Sequence, residues 1–175
     1  MREMVTSSLV IITLLSLLPG SAADRYLRAT VDGDGQLRIT TAAGKTIVPA
    51  KEREQVGFSK PQISPDGGAV GWLAEYPNCC TSYPIPLTLI ILRNGSSRTF
   101  TGNALPIWRW GFQADGAQFA LQQETVHGGL GVHYELRDVI SGSLLAEYDP
   151  VVGTDNRSLP SQSIPRWVTE LDSSP

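Results

Sequence analysis

The sequence predicts an all-β fold: antiparallel four-stranded repeat units in series, followed by a short C-terminal helix. A β-sandwich or an open barrel of hairpins is the alternative arrangement of the same strands. Three observations carry this expectation. Gln62-Ile63-Ser64-Pro65-Asp66-Gly67 feeds the run Ala69–Glu75, and Gln113-Ala114-Asp115-Gly116 feeds Ala117–Glu124 in the same grammar. Asp66 is answered by Asp115 and Glu75 by Glu124, a period of about 50 residues. Gly44, Gly95 and Gly142 recur at a similar spacing between apolar runs, where tight hairpin turns need the positive φ that glycine adopts freely. In the tail, Ile164, Trp167, Val168 and Leu171 fall at helical spacing.

Taken in order, residues 1–23 read as a secretory signal. Leu9–Leu18 is an apolar run too short to span a bilayer, Pro19-Gly20 breaks it, and Ser21-Ala22-Ala23 offers small residues before a cut. Residues 24–175 then form a single domain, large enough to bury a core without a metal or a disulfide. Tyr26–Val31 is a strand, and Asp32-Gly33-Asp34-Gly35 is a turn. Two Asp-Gly pairs also suggest a calcium loop, but the next residues, Gln36-Leu37-Arg38-Ile39-Thr40, are strand-like rather than ligands at fixed steps. A hairpin follows over Leu37–Thr40 and Thr46–Val48.

The second unit has strands near Phe58–Ile63, Ala69–Tyr76, Leu87–Arg93 and Ser97–Thr101. Val70, Trp72, Ala74 and Tyr76 share one face of its second strand. Its third strand is apolar on both faces, as an inner strand should be. The third unit has strands at Ile107–Phe112, Ala117–Glu124, Val132–Val139 and Ser143–Tyr148. In the first unit the last two strands are clear and the first two are not. After the polar stretch 149–160, Pro165 stands where a first helical turn tolerates it, and the apolar stripe from Ile164 to Leu171 is expected to cap the sheet core.

Ile63-Ser64-Pro65-Asp66-Gly67 resembles the Ser-Pro-Asp-Gly turn of WD40-like, TolB-type β-propeller repeats. Glu135-Leu136-Arg137-Asp138-Val139-Ile140-Ser141-Gly142-Ser143-Leu144 resembles the end of a WD40 third strand, where Trp-Asp and Thr-Gly usually stand. The resemblance covers about residues 58–148 and implies propeller-like blades. Closed propellers typically have four or more blades, and about two and a half are legible here. The resemblance therefore implies an incomplete propeller that packs on itself or pairs with another copy.

Few residues point to chemistry. Cys79 and Cys80 are the two cysteines, and they are adjacent. In an exported protein they tend to oxidise, although neighbouring Cα atoms stand about 3.8 Å apart, below the usual disulfide range. A vicinal disulfide would stiffen its loop and add little global stability. Two free thiols, or bridges to another chain, are the alternatives. The loop is Tyr76–Pro86, with Tyr76, Asn78 and Tyr83 as candidate binding residues among three prolines. The matching loop of the third unit, Thr125–Gly131, holds His127, and His133 follows it. Strand counting places both loops on one rim, opposite the Asp-Gly and Asn-Gly turns. Glu124, His127 and His133 invite a metal reading, Glu-x-x-His plus a later His, but no helix fixes their spacing. Trp72, Trp108 and Trp110, at strand spacing, belong in a core sooner than on a sugar platform. There is no Gly-x-Ser-x-Gly elbow, P-loop or dinucleotide fingerprint. Asn94-Gly95-Ser96 and Asn156-Arg157-Ser158 match the glycosylation acceptor pattern.

The net charge of −3 argues against a nucleic-acid partner. These readings lead to an exported, secreted or periplasmic module, non-catalytic and without a cofactor, that binds a protein or other ligand through the two loops. No integral membrane segment is expected after cleavage. A metal protein or metal-dependent enzyme using Glu124, His127 and His133 is one alternative. A structural envelope protein that self-associates, and so forms a homo-oligomer, is the other.

Overall fold

The computed structural model describes residues 25–102, 105–128, 131–150 and 163–173. The expected export signal and the triplet at Asn156 lie outside the described residues. Among the described residues, eleven strands form three antiparallel sheets, none closed into a barrel, and one short helix follows. The first sheet is β1 (Tyr26–Val31), β2 (Leu37–Thr41) and β3 (Thr46–Ile47). The second is β4 (Gly57–Ile63), β5 (Ala69–Tyr76), β6 (Ile85–Arg93) and β7 (Ser96–Thr101). The third is β8 (Ile107–Phe112), β9 (Gln118–Glu124), β10 (Val132–Asp138) and β11 (Leu144–Tyr148). Strands neighbour one another in chain order within each sheet, so each is a meander. The helix α1 spans Arg166–Ser173.

The turns explain why the strands begin where they do. Ser64 Oγ accepts from Ala69 N at 2.8 Å, Asp66 Oδ1 accepts from Gly68 N at 2.9 Å, and Gly67 sits at φ 69°. Asp115 Oδ1 likewise accepts from Ala117 N at 2.9 Å, with Gly116 at φ 69°. Asn94 and Gly95 have φ of 49° and 74° and join β6 to β7 with Arg93 opposite Ser96, a two-residue hairpin that matches strand twist. Asp32 Oδ1 accepts from the amides of Asp34 and Gln36 at 3.0 and 2.9 Å, and Asp32 Oδ2 pairs with Arg38 at 2.6 Å. These bonds make the Asp-Gly pairs the turn of a hairpin.

The three sheets stack with the second in the middle. Val70, Trp72, Ala74 and Ile90 pack against Tyr26, Leu37 and Ile39 of the first sheet. From the other face, Ala69, Leu73, Leu89 and Ile91 pack against Ile107, Trp110, Phe119 and Leu121 of the third. That is why β6 is apolar on both faces. The far face of the third sheet presents Ala120, Tyr134, Leu136 and Tyr148, and Val168 and Leu171 of α1 cover it. The expected stripe is narrower than its spacing predicts. Ile164 precedes the helix and is 59% exposed, and Trp167 is only half-buried. Two buried aliphatic positions per two turns suffice because α1 lies on a single face.

The edge strand β4 bulges between Ser59 and Gln62, with Lys60 at φ 48° and Pro61 beside it. A bulge with lysine and proline blunts an edge against further pairing. The carbonyl freed there is used: Trp110 Nε1 donates to Lys60 O at 3.0 Å. Among the described residues, no helix is long and apolar enough to cross a membrane.

Candidate functional site

The two unusual loops share an edge. Lys60 Nζ donates to Trp108 O at 2.7 Å, and Gln62 Nε2 donates to Trp110 O at 2.9 Å. Moving two residues along β4 moves two residues along β8 in the same sense, so these strands run in parallel directions. Each sheet is a meander, so the β5–β6 and β9–β10 loops leave on the same side. The opposite side confirms the geometry. A Cβ on Gly116 would stand 3.2 Å from Asp66 Oδ1, and Arg98 Nη1 donates to Ser141 O at 2.6 Å, so the tight turns of both sheets meet there.

Within the β5–β6 loop, Asn78 Nδ2 donates to Thr81 Oγ1 at 3.1 Å, and Asn78 Oδ1 accepts from Cys80 N at 3.3 Å. Thr81 Oγ1 in turn donates to Tyr83 O at 2.6 Å. Cys79 and Cys80 are exposed thiols with Sγ atoms 3.0 Å apart, and the Cys79 side chain beside Cys80 pushes the Cys80 thiol up. Tyr83 is 50% exposed. Tyr76, at the root of the loop, is half-buried and donates its hydroxyl to Glu52 Oε2 at 2.7 Å. Burial, reinforced by Glu52, raises the Tyr76 phenol. The segment between β3 and β4 is thereby tied to the same rim, as is Val56 N, which donates to Glu75 O at 2.8 Å.

The β9–β10 loop is held by Thr125 Oγ1, which donates to Gly128 O at 2.7 Å, and His127 is exposed on it. His133 points elsewhere. The register sets His133 opposite Gln123 and Val132 opposite Glu124. Paired residues share a face and neighbours alternate, so Glu124 and His133 lie on opposite faces of the sheet. The three residues of the metal reading are not brought together, and no group of three or more metal-ligating side chains occurs among the described residues.

His133 instead heads a polar stripe on β10 that the sequence reading missed. Its Nδ1 lies 2.7 Å from Asp149 Oδ1 and its Nε2 lies 3.3 Å from Glu135 Oε1. Glu135 is buried and accepts from Arg137 Nε at 2.5 Å. Burial of His133 opposes its protonation, but the hydrogen bonds and charges of Asp149 and Glu135 outweigh it, and the pKa is raised. The available signal was the i, i+2, i+4 spacing of His133, Glu135 and Arg137, which puts three ionisable groups on one strand face. The corresponding strand β6 carries none there.

The tryptophans are built into the packing. Trp72 and Trp110 are buried, and Trp108 is half-buried with its Nε1 donating to Glu124 O at 3.0 Å.

A scan against protein-family models finds no match, and a search of the curated proteins finds none. Among solved structures the chain is similar to Pyrococcus horikoshii acylaminoacyl peptidase in its orthorhombic crystal form. The TM-score is 0.44 and the identity 10%, over 69% of this chain and 22% of that one. The chain thus spans about a fifth of that protein's length, and a likeness of this size says nothing about activity.

Proposed function

We propose that this protein is an exported, non-catalytic binding module whose working surface is the rim formed by the β5–β6 and β9–β10 loops. In this reading the sheets are propeller-like blades of the WD40-like, TolB-type kind, stacked without closure. The observation that carries the reading is the parallel course of β4 and β8, which supports a common edge for both loops. The contact groups are Tyr83, His127 and the Cys79–Cys80 pair, all exposed. Tyr76 and Asn78 brace the β5–β6 loop through Glu52 and Thr81, and His133, tied to Asp149, stands on β10 just after the β9–β10 loop. Tyrosine supplies large contact area with few rotors, and a braced, proline-rich loop lowers the ordering cost of binding.

In an oxidising compartment Cys79 and Cys80 bridge to each other. Intact mass then sits about 2 Da below the dithiol value, and N-terminal sequencing of the exported form begins near Asp24. The functional test is a co-purification series from the exported fraction. Tyr83→Ala and His127→Ala should each lose the co-purifying partner while melting normally. Asn94→Ala, on the opposite edge, should retain it. Loss with Asn94→Ala and retention with the other two would assign the work to the turn edge instead.

A further inference from the structure

A second concave feature lies away from the loop tips, between the first and second sheets. Ile47, Pro49 and Glu52 form one wall, and Trp72, Ile90 and Leu92 form the other, around a groove of about 360 Å³. Its origin is topological. β3 has 2 residues where β7 has 6, so the first sheet stops short of covering the outer part of its neighbour. The segment after β3 swings round the gap instead of filling it. The volume is in the range of small-molecule sites, and the walls are mainly apolar, as such sites are.

One polar atom among these residues is unaccounted for. Trp72 is 3% exposed, and its Nε1–H is buried with no hydrogen-bond partner. The indoles of Trp108 and Trp110 both donate to backbone carbonyls at 3.0 Å. A buried donor without an acceptor loses its hydration with no return, and native proteins rarely tolerate one without water, ligand or function to answer it. Trp72 is one of the residues that line this groove. Glu52, whose carboxylate already accepts from Tyr76, gives the mouth a negative charge.

We propose that the groove binds a small, neutral, mainly apolar molecule that presents a carbonyl-type acceptor to Trp72 Nε1. Ile47, Ile90 and Leu92 take its apolar body, Trp72 fixes its orientation, and Glu52 discriminates against carboxylates. The site shares Glu52 with the bracing of Tyr76 but does not rest on the reading given above for the rim.

The probe is cyclohexanone, titrated into purified ¹⁵N-labelled protein while the Trp72 indole N–H is followed, its signal assigned by its loss in Trp72→Phe. Methylcyclohexane tests shape without the acceptor, and cyclohexanecarboxylate tests charge. Cyclohexanone should shift the Trp72 indole signal saturably and leave that of Trp110 in place. Methylcyclohexane should bind about tenfold more weakly, the size of effect that loss of one hydrogen bond brings. Cyclohexanecarboxylate should bind only in Glu52→Gln. Leu92→Trp, diagonally across β5 and β6 from Trp72, fills the groove and should abolish the saturable response of the Trp72 indole to cyclohexanone. Tyr83→Ala and His127→Ala should leave it intact, which separates this site from the rim. A Trp72 signal unmoved by millimolar cyclohexanone, or a shift that survives Leu92→Trp, would overturn the assignment.

Discussion

The second and third sheets are two copies of one pattern, yet they are buried differently. The second lies between two sheets, and its strand β6 is apolar on both faces, with Leu89 and Ile91 on one and Ile90 on the other. The third lies between a sheet and a helix. Its strand β10 offers Tyr134 and Leu136 to α1 but carries His133, Glu135 and Arg137 on the reverse. That reverse face is the one β10 shares with Phe119 and Leu121, toward the second sheet. The difference teaches that even a face covered by another sheet admits charge where the ionic groups satisfy one another: Glu135 takes Arg137 and His133, and the Arg137 guanidinium lies over the Phe100 ring.

The contrast can be tested, beginning with the interface the two sheets share. Trp110 is buried, donates to Lys60 O, and lies so close to Gly71 that a Cβ there would stand 2.5 Å from its ring. Trp110→Ala should lower unfolding free energy by about 3–5 kcal/mol, as large aromatic truncations in cores do. Gly71→Ala should cost about 1–3 kcal/mol through overpacking of the same contact. Urea denaturation measures both, and a neutral Gly71→Ala would mean the two sheets are not in this contact.

Next comes the helix. Leu171→Ala should cost about 2–4 kcal/mol and Trp167→Ala clearly less, because Leu171 is buried and Trp167 half-buried. Amide exchange should quicken in β8 and β9 after Leu171→Ala and stay unchanged in β5, which α1 does not cover. Equal effects in β5 would show that the two sheets unfold as one and erase the contrast.

A smaller effect is expected at the β6–β7 turn. Asn94 has φ 49°, so Asn94→Ala should cost about 1 kcal/mol and Asn94→Gly almost nothing, since alanine tolerates that region poorly. A reversed order would rule out the two-residue turn.

The smallest effect concerns pH and belongs to the third sheet alone. The folded protein holds His133 at a raised pKa, so protonation favours the native state. That stabilisation is complete below the ordinary histidine value of about 6.5 and fades as pH rises through the raised one. Melting temperature should therefore fall slightly between about pH 6 and 8. The slope should vanish in His133→Gln and persist in His127→Gln. A slope that follows His127 instead would place the titration on the loop.

Much of the fold could be read from the chain before any packing was known. The Ser-Pro-Asp-Gly and Asn-Gly turns name their own conformations, because positive φ and side-chain capping are local demands met by particular residues. β5 and β8 run as expected, Ala69–Tyr76 and Ile107–Phe112, since a period of two between such turns leaves few registers. The tail helix was legible from Val168 and Leu171, while the spacing alone could not show that Ile164 would stay in solvent.

What only the tertiary structure decided lies between elements. Strand pairing put Glu124 and His133 on opposite faces, and the course of the segment between β3 and β4 made Glu52 the partner of Tyr76. The pairing of β10 with β11 drew Asp149 to His133, and the stacking of the first two sheets left Trp72 beside a groove that the short β3 does not cover. Local sequence fixes backbone dihedrals through sterics and near-neighbour hydrogen bonds. It carries no term for which faces meet, because those contacts join residues far apart in the chain, and their geometry exists only once the sheets have packed.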